Sequence, residues 1–289
     1  DELANIMKLC DGVRCDMAML LLPEVFNLTW GIEIESFWPK AINEVKARNS
    51  EFIFVAEVYW DLEWKLQQQG FDYTYDKMLY DRLLQHQARP VREHLMAGIE
   101  YQNKSIRFLE NHDEQRAAKA FPPQVHQAAA LITFLTPGIK LFHQGQLEGY
   151  LKRIPMQICR APNEKRDFVL VEFYRQLLLI LQQPILQIGD WQLLDCLPAW
   201  GSNWTWDSFI AYAWGDFEDD TLLVVINFAP HQGQCYVRLA GSDLGGSEVL
   251  LVDQMSGVKY TRSGDDLSQY GLYLDMPAWS YHVFEVRRQ

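Results

Sequence analysis

Apolar and polar positions alternate between two periods along the first part of this chain. Short runs at 11–16, 52–58, 71–75, 106–110 and 138–142 read as strands. The stretches between them carry apolar residues every three or four positions, the mark of one-sided helices. Helices are predicted over 3–9, 36–48, 60–69, 76–85, 91–101, 122–134 and 168–182. Ser36 is a candidate N-cap with Pro39 in the first turn, and Gly70 is a stop signal. The run at 52–58 is continuously apolar, as in a parallel strand covered on both faces. Strands that alternate with helices predict an α/β architecture, either a barrel or a doubly wound sheet.

Around Pro184 the helical period disappears. Short apolar runs follow at 209–214, 222–228, 235–239, 249–252, 271–274 and 281–286. They are separated by turn signals such as Gly241-Ser242, Gly245-Gly246 and Ser263-Gly264. This spacing predicts an all-β module of about 100 residues. The expected division is an α/β part over 1–184 and an all-β part over 185–289.

Composition narrows the classes. The 289 residues are 48% hydrophobic, enough for a large core. Lys plus Arg total 26 against 38 Asp plus Glu, a net charge of -12. That balance disfavours nucleic acid and anionic membranes as partners and suits a neutral substrate such as a polysaccharide. No apolar run reaches membrane-spanning length. The five cysteines, Cys10, Cys15, Cys159, Cys196 and Cys235, lack metal-ligand spacing and are expected as reduced packing thiols. Reduced thiols lean toward a cytoplasmic setting. Among ten tryptophans, Trp200, Trp204, Trp206 and Trp214 are expected in the core of the β module, with a sugar-binding surface patch as the lesser alternative, while Tyr59, Trp60 and Trp64 are candidates for a sugar-stacking surface, Trp64 equally for packing the helix that follows.

The candidate chemistry sits at strand ends. In the first strand, alternation puts Arg14 and Asp16 on one face, Val13 and Cys15 on the other. The second strand ends at Glu57, and the fourth leads into Asn111-His112-Asp113. Barrel enzymes draw catalytic groups from the carboxyl ends of several strands, and a carboxylate pair is the glycosidase solution. The runs DGVRCD (11–16), FVAEV (54–58) and FLENHD (108–113), in this order, resemble the signature regions of the α-amylase family of retaining α-glycosidases, glycoside hydrolase family thirteen. HQGQLEG (143–149) resembles the family's segment after barrel strand eight. LLVVINFAP and AWSYHVFEV resemble its β-rich domain C.

The resemblance implies strands four to eight of a (β/α)8 barrel followed by a β sandwich. It implies Asp16 as nucleophile, Arg14 as its orienting partner and Glu57 as acid/base. Asp113 would hold sugar hydroxyls and the charged transition state, and His112 would bond the same sugar. Glu110 is one position from Asn111 and is set aside in favour of Asp113. The implied partner is an α-glucan or maltooligosaccharide, with no organic cofactor. Two positions depart from the family. Met19 and Leu20 stand where α-amylases carry Lys-His, so neither a calcium site nor an ordinary endo-amylase is supported, and a 4-α-glucanotransferase is the alternative. A non-catalytic relative that binds carbohydrate or protein is a further one, disfavoured by the three retained carboxylates. A full barrel takes about 250 residues, so the first three strands are expected outside this chain, as a missing N-terminal half of the barrel.

Overall fold

The computed structural model describes residues 2–155, 157, 160–217, 221–239 and 244–289, and the statements below concern those residues. Cys159 and the Gly241-Ser242 turn lie outside them. The contacts of the chain group into two compact units, each described by itself. The first comprises Asp1–Asp81, Gly98–Arg107 and Pro137–Leu141. The second comprises Arg82–Ala97, Phe108–Thr136 and Phe142–Gln289.

The first unit is built on a parallel sheet. Its strands are β1 (Gly12–Cys15), β2 (Ile53–Ala56), β3 (Tyr73–Tyr75), β4 (Ser105–Arg107) and β5 (Ile139–Lys140), side by side in sequence order. A doubly wound sheet reverses its strand order part-way. This one never does, which is the winding of a barrel wall and resolves the architecture left open by periodicity. β1 and β2 run in register, Arg14 opposite Val55 and Cys15 opposite Ala56. Glycine is required at position 12, because a Cβ there would stand 2.6 Å from the carbonyl oxygen of Ile53. Phe54, Ala56 and Val58 are buried with Trp38, Ile42, Val45, Leu66 and Phe71. That cluster is the apolar stripe of helix Phe37–Lys46 meeting the covered face of β2. Val13 and Cys15 pack against the same cluster, so the alternation read from the sequence holds.

The second unit holds helices Ala88–Leu95, Pro123–Leu135 and Phe168–Leu181 and two antiparallel sheets. The strands are β6 (Trp191–Leu194), β7 (Cys196–Leu197), β8 (Phe209–Trp214), β9 (Thr221–Asn227), β10 (Gly233–Val237), β11 (Glu248–Asp253), β12 (Lys259–Ser263), β13 (Leu272–Met276) and β14 (Tyr281–Arg288). Six form a sheet in the order β12-β11-β14-β9-β8-β6, and three form another, β13-β10-β7. Their inner faces share a core that includes Phe209, Val225, Cys235, Val249, Leu272 and Phe284. Tyr212 and Trp214 on β8 donate hydrogen bonds to the carbonyls of Leu131 (2.9 Å) and Leu135 (2.7 Å). The second of these satisfies a carbonyl at a helix end, where the helix supplies no partner of its own.

Several expectations are corrected. The single helix at 91–101 is two, Ala88–Leu95 and Ile99–Asn103. The first begins ahead of Pro90, which a first helical turn tolerates because its N–H is not needed there. Helix Pro23–Trp30 carries Pro at its start and left-handed Gly31 at its end, a legible pair of signals that periodicity alone passed over. Helix Gly264–Tyr270 interrupts the all-β pattern. Trp200 and Trp204 are exposed rather than in the sandwich core, whereas Trp214 is buried and Trp206 packs against the core. No helix among the described residues is long and apolar enough to cross a membrane.

Candidate active site

Asp16 follows the last residue of β1, and Glu57 follows β2, so both carboxylates stand at the carboxyl ends of neighbouring parallel strands. Arg14, two residues before Asp16 and on the same face of β1, joins them. One guanidinium nitrogen bonds Asp16, and the other lies 2.9 Å from Oε1 of Glu57. Burial pushes the Arg14 pKa down, but the bond to Asp16 and the charge on Glu57 outweigh it and hold the guanidinium above its ordinary value. Arg14 also stacks over the Tyr75 ring at 5.7 Å.

The surroundings of the two carboxylates differ. The Asp16 side chain is 77% exposed, while that of Glu57 is 4% exposed. Glu57 is held at every polar atom. The Tyr59 hydroxyl donates to Oε1 at 3.0 Å, and the Met17 N–H donates to Oε2 at 2.8 Å. Its backbone N–H donates to the Cys15 carbonyl, and its carbonyl accepts from the Ala18 N–H, both at 3.0 Å. Met17 reaches Oε2 by adopting a left-handed backbone, φ 45° and ψ 47°, which is unusual outside glycine. Strained conformations of this kind persist where surrounding contacts over-determine them. Tyr59, a candidate for a sugar-stacking surface, gives its hydroxyl to Glu57. The two-residue spacing in extended chain puts both side chains on one face, a signal that was available in the sequence.

In the second unit, Asp113 and His112 lie together. His112 Nε2 is 3.0 Å from Oδ2 of Asp113, and Arg153 approaches its other oxygen at 3.9 Å. Asn111 shapes this turn, its side-chain oxygen accepting from the N–H groups of Asp113 and Glu114, each at 2.9 Å. Both Asp113 and His112 keep about a third of their side chains exposed. Glu110 differs entirely. It is fully buried and bonds Arg116 at 2.5 Å, the Ala117 N–H at 2.6 Å and His143 at 2.8 Å. Its charge is met by these three donors inside the second unit. Arg153 was missed, and nothing in its local sequence marks it. Gln144 contributes its backbone carbonyl to Arg116 at 2.7 Å.

Met19 is fully buried in the core behind β2, while Leu20 is partly exposed. Among the described residues no cluster of three His, Cys, Asp or Glu is placed to hold a metal.

No family model matches this sequence. Over 154 residues, half of this chain, it is 29% identical to alpha-amylase MalA of Haloarcula japonica, a stretch covering 21% of that protein. Its structure is similar to that of a noncanonic maltogenic alpha-amylase, AmyB, from Thermotoga neapolitana, with TM-score 0.70, 18% identity and coverage of 98% of this chain and 64% of that one. An Anoxybacillus alpha-amylase matches with TM-score 0.71 and 19% identity, over 100% of this chain and 62% of the other. The alpha-amylase of Geobacillus thermoleovorans, solved with acarbose, gives TM-score 0.69 and 18% identity, over 98% and 62%. The chain thus spans about a fifth of its curated relative and less than two thirds of these solved chains. It has the α-amylase fold, the later strands of a barrel followed by a β sandwich, and shares sequence with an α-amylase over half its length.

Proposed function

We propose that this chain carries the catalytic carboxylates of a retaining glycosidase acting on α-glucans, with residues 1–184 as the catalytic part and 185–289 as the β domain. The observation that carries the reading is the Arg14 guanidinium ion-paired with both Asp16 and Glu57 at the ends of adjacent parallel strands. Two carboxylates on one guanidinium suit the retaining spacing of about 5–5.5 Å, too close to admit an inverting water.

In this reading an Asp16 oxygen attacks the anomeric carbon as the glycosidic C–O bond breaks. Protonated Glu57 passes its proton to the departing oxygen. A water then attacks the same carbon, Glu57 takes its proton, and Asp16 leaves as carboxylate. Arg14 orients Asp16, while Tyr59 and the Met17 N–H fix the Glu57 carboxyl. Asp113 and His112 take the sugar hydroxyls and the developing charge. β1 and β5 each have an open edge in the sheet, and we assign those edges to further barrel strands supplied from outside this chain.

Labelling with an activated fluoro-sugar tests the assignment. In the complete protein, the peptide containing Asp16 should gain the mass of one glycosyl unit, and Asp16→Asn should abolish the gain. A label on any other carboxylate would overturn the assignment. Met19 and Leu20 in place of Lys-His keep a second reading beside hydrolysis, transfer to another glucan. Products longer than the starting oligosaccharide, formed with excess acceptor, would establish it.

A further inference from the structure

Between positions 152 and 166 the chain carries five of its 26 cations, Lys152, Arg153, Arg160, Lys165 and Arg166, against one acid, Glu164. In a chain of net charge -12 this is a local reversal of sign. Three of the five, Lys152, Lys165 and Arg166, line a cavity of 560 Å³ that lies wholly within the second unit. Its volume is that of a small-molecule site. All three are exposed, and among the described residues none pairs with a carboxylate. The two carboxylates in the lining are already engaged. Glu164 accepts from the N–H groups of Leu151 at 3.0 Å and Lys152 at 3.2 Å, and Asp167 caps helix Phe168–Leu181.

The inner wall is apolar but for one group. Phe121 and Leu170 are buried there, and so is His126, with none of its surface exposed. His126 sits in the first turn of helix Pro123–Leu135, whose start no side chain caps. Pro123 and His126 thus put an uncapped, positive helix end in the cavity wall. Neighbouring bonds fix the tautomer of the ring. The His143 N–H donates to Oε1 of Gln146 at 3.3 Å, which leaves the Gln146 amide nitrogen to donate to the Tyr174 hydroxyl at 3.0 Å. That hydroxyl then points its own proton at Nε2 of His126, 2.7 Å away. Nε2 is therefore an acceptor, and the ring proton sits on Nδ1. Among the described residues Nδ1 has no partner. Tyr174 does not line the cavity, so Nδ1 is the polar atom that His126 turns to it. A buried N–H without an acceptor is costly, and a bound acceptor removes the cost.

We propose that this cavity binds a phosphate group carried by a small ester, its oxygens received by the Nδ1–H of His126 and by the side chains of Lys152, Lys165 and Arg166. A phosphoryl group offers three acceptor oxygens in diverging directions, to a neutral donor inside and cations outside. The apolar walls leave room for the organic part of the ester. None of these residues is a carboxylate assigned to catalysis, and the site stands whether or not that assignment does.

Calorimetric titration of the complete protein with glucose 6-phosphate, inorganic phosphate and glucose tests the site, the sugar of the probe being chosen from the function proposed above. Glucose 6-phosphate should bind, and glucose should not displace it. Lys165→Ala combined with Arg166→Ala, both at exposed positions, should weaken binding roughly tenfold or more and leave the melting temperature of the free protein unchanged. Glu57→Gln should bind as the parent does. Nitrogen-15 spectra of the histidine rings read the inner donor without any variant: saturating glucose 6-phosphate should move the Nδ1 resonance of His126 more than its Nε2 resonance. Inorganic phosphate binding as tightly as the ester would uphold the phosphate site and make the free ion its ligand. Binding that is indifferent to the two cations and leaves Nδ1 unmoved would overturn the proposal, and so would the absence of binding by either phosphate. Labelling of Asp16 is a separate readout, so neither result touches the function proposed above.

Discussion

At the scale of single residues, two carboxylates of opposite exposure share one guanidinium. Asp16 faces solvent, as the role of nucleophile proposed above would require, and Glu57 is enclosed by donors. Under the proposed function Tyr59, bonded to Glu57, is a positioning residue. Tyr59→Phe should lower kcat by roughly tenfold with KM little changed, because it removes one contact that orients Glu57 without touching substrate. Steady-state kinetics of the complete protein check this, and a change confined to KM would refute it. His126 supplies a pH prediction. It is buried, its Nε2 lies 2.7 Å from the Tyr174 hydroxyl, and its Nδ1 has no partner. Burial pushes its pKa down to about 4. The unfolded imidazole takes up its proton near pH 6.5. Stability is therefore full above that pH and is lost as the pH falls toward 4, by roughly 3 kcal/mol in all. Denaturant titrations at pH 7 and pH 4.5 should show the loss, and His126→Gln should flatten it.

At the scale of elements, ends and close approaches set the geometry. Helix Phe168–Leu181 starts at Asp167, whose Oδ1 accepts from the N–H groups of Val169 at 2.9 Å and Leu170 at 3.2 Å. Asp167→Ala should cost about 1 kcal/mol of stability, read as a lower denaturation midpoint with an unchanged slope. Strand positions were legible because buried parallel strands are continuous apolar runs. Their lengths were not. The run at 138–142 contains only a two-residue strand, Ile139–Lys140, since pairing with β4 ends where the backbone turns away. The split at 96–98 was hidden for a similar reason, because apolar periodicity continues through a break that only backbone hydrogen bonding reveals.

At the scale of the whole molecule, the sheet carries two edges that no strand among the described residues covers, β1 and β5. Open edges of parallel strands are templates for pairing with another chain. The 289-residue chain by itself should self-associate as its concentration rises, followed by sedimentation velocity. Ile139→Lys, on the β5 edge and 40% exposed, should suppress that association, since a charge on an edge strand opposes pairing. An unchanged sedimentation profile would locate the contact elsewhere. In the second unit, Arg89 and Arg92 on helix Ala88–Leu95 both bond Asp207, and Arg92 also donates to the Phe209 carbonyl at 2.8 Å. With Tyr212 and Trp214, these contacts make the β sheets and the neighbouring helices one compact body, although the sequence changes character at Pro184.

The sequence by itself determined the alternation of strands and helices, the change to β structure, and the face that Arg14 and Asp16 share, because a two-residue period in extended chain is a local property. Tertiary structure alone decided the rest. It showed that the strands follow one another without reversal and that Arg14 reaches Glu57 as well as Asp16. It also showed that Tyr59 serves Glu57, that Glu110 is spent on Arg116, and that Trp204 stands in solvent. The strand order and the Arg14–Glu57 pair depend on residues far apart in the chain, brought together by strand pairing; the partners of Glu57 and Glu110 and the exposure of Trp204 are set by side-chain packing that no local period specifies.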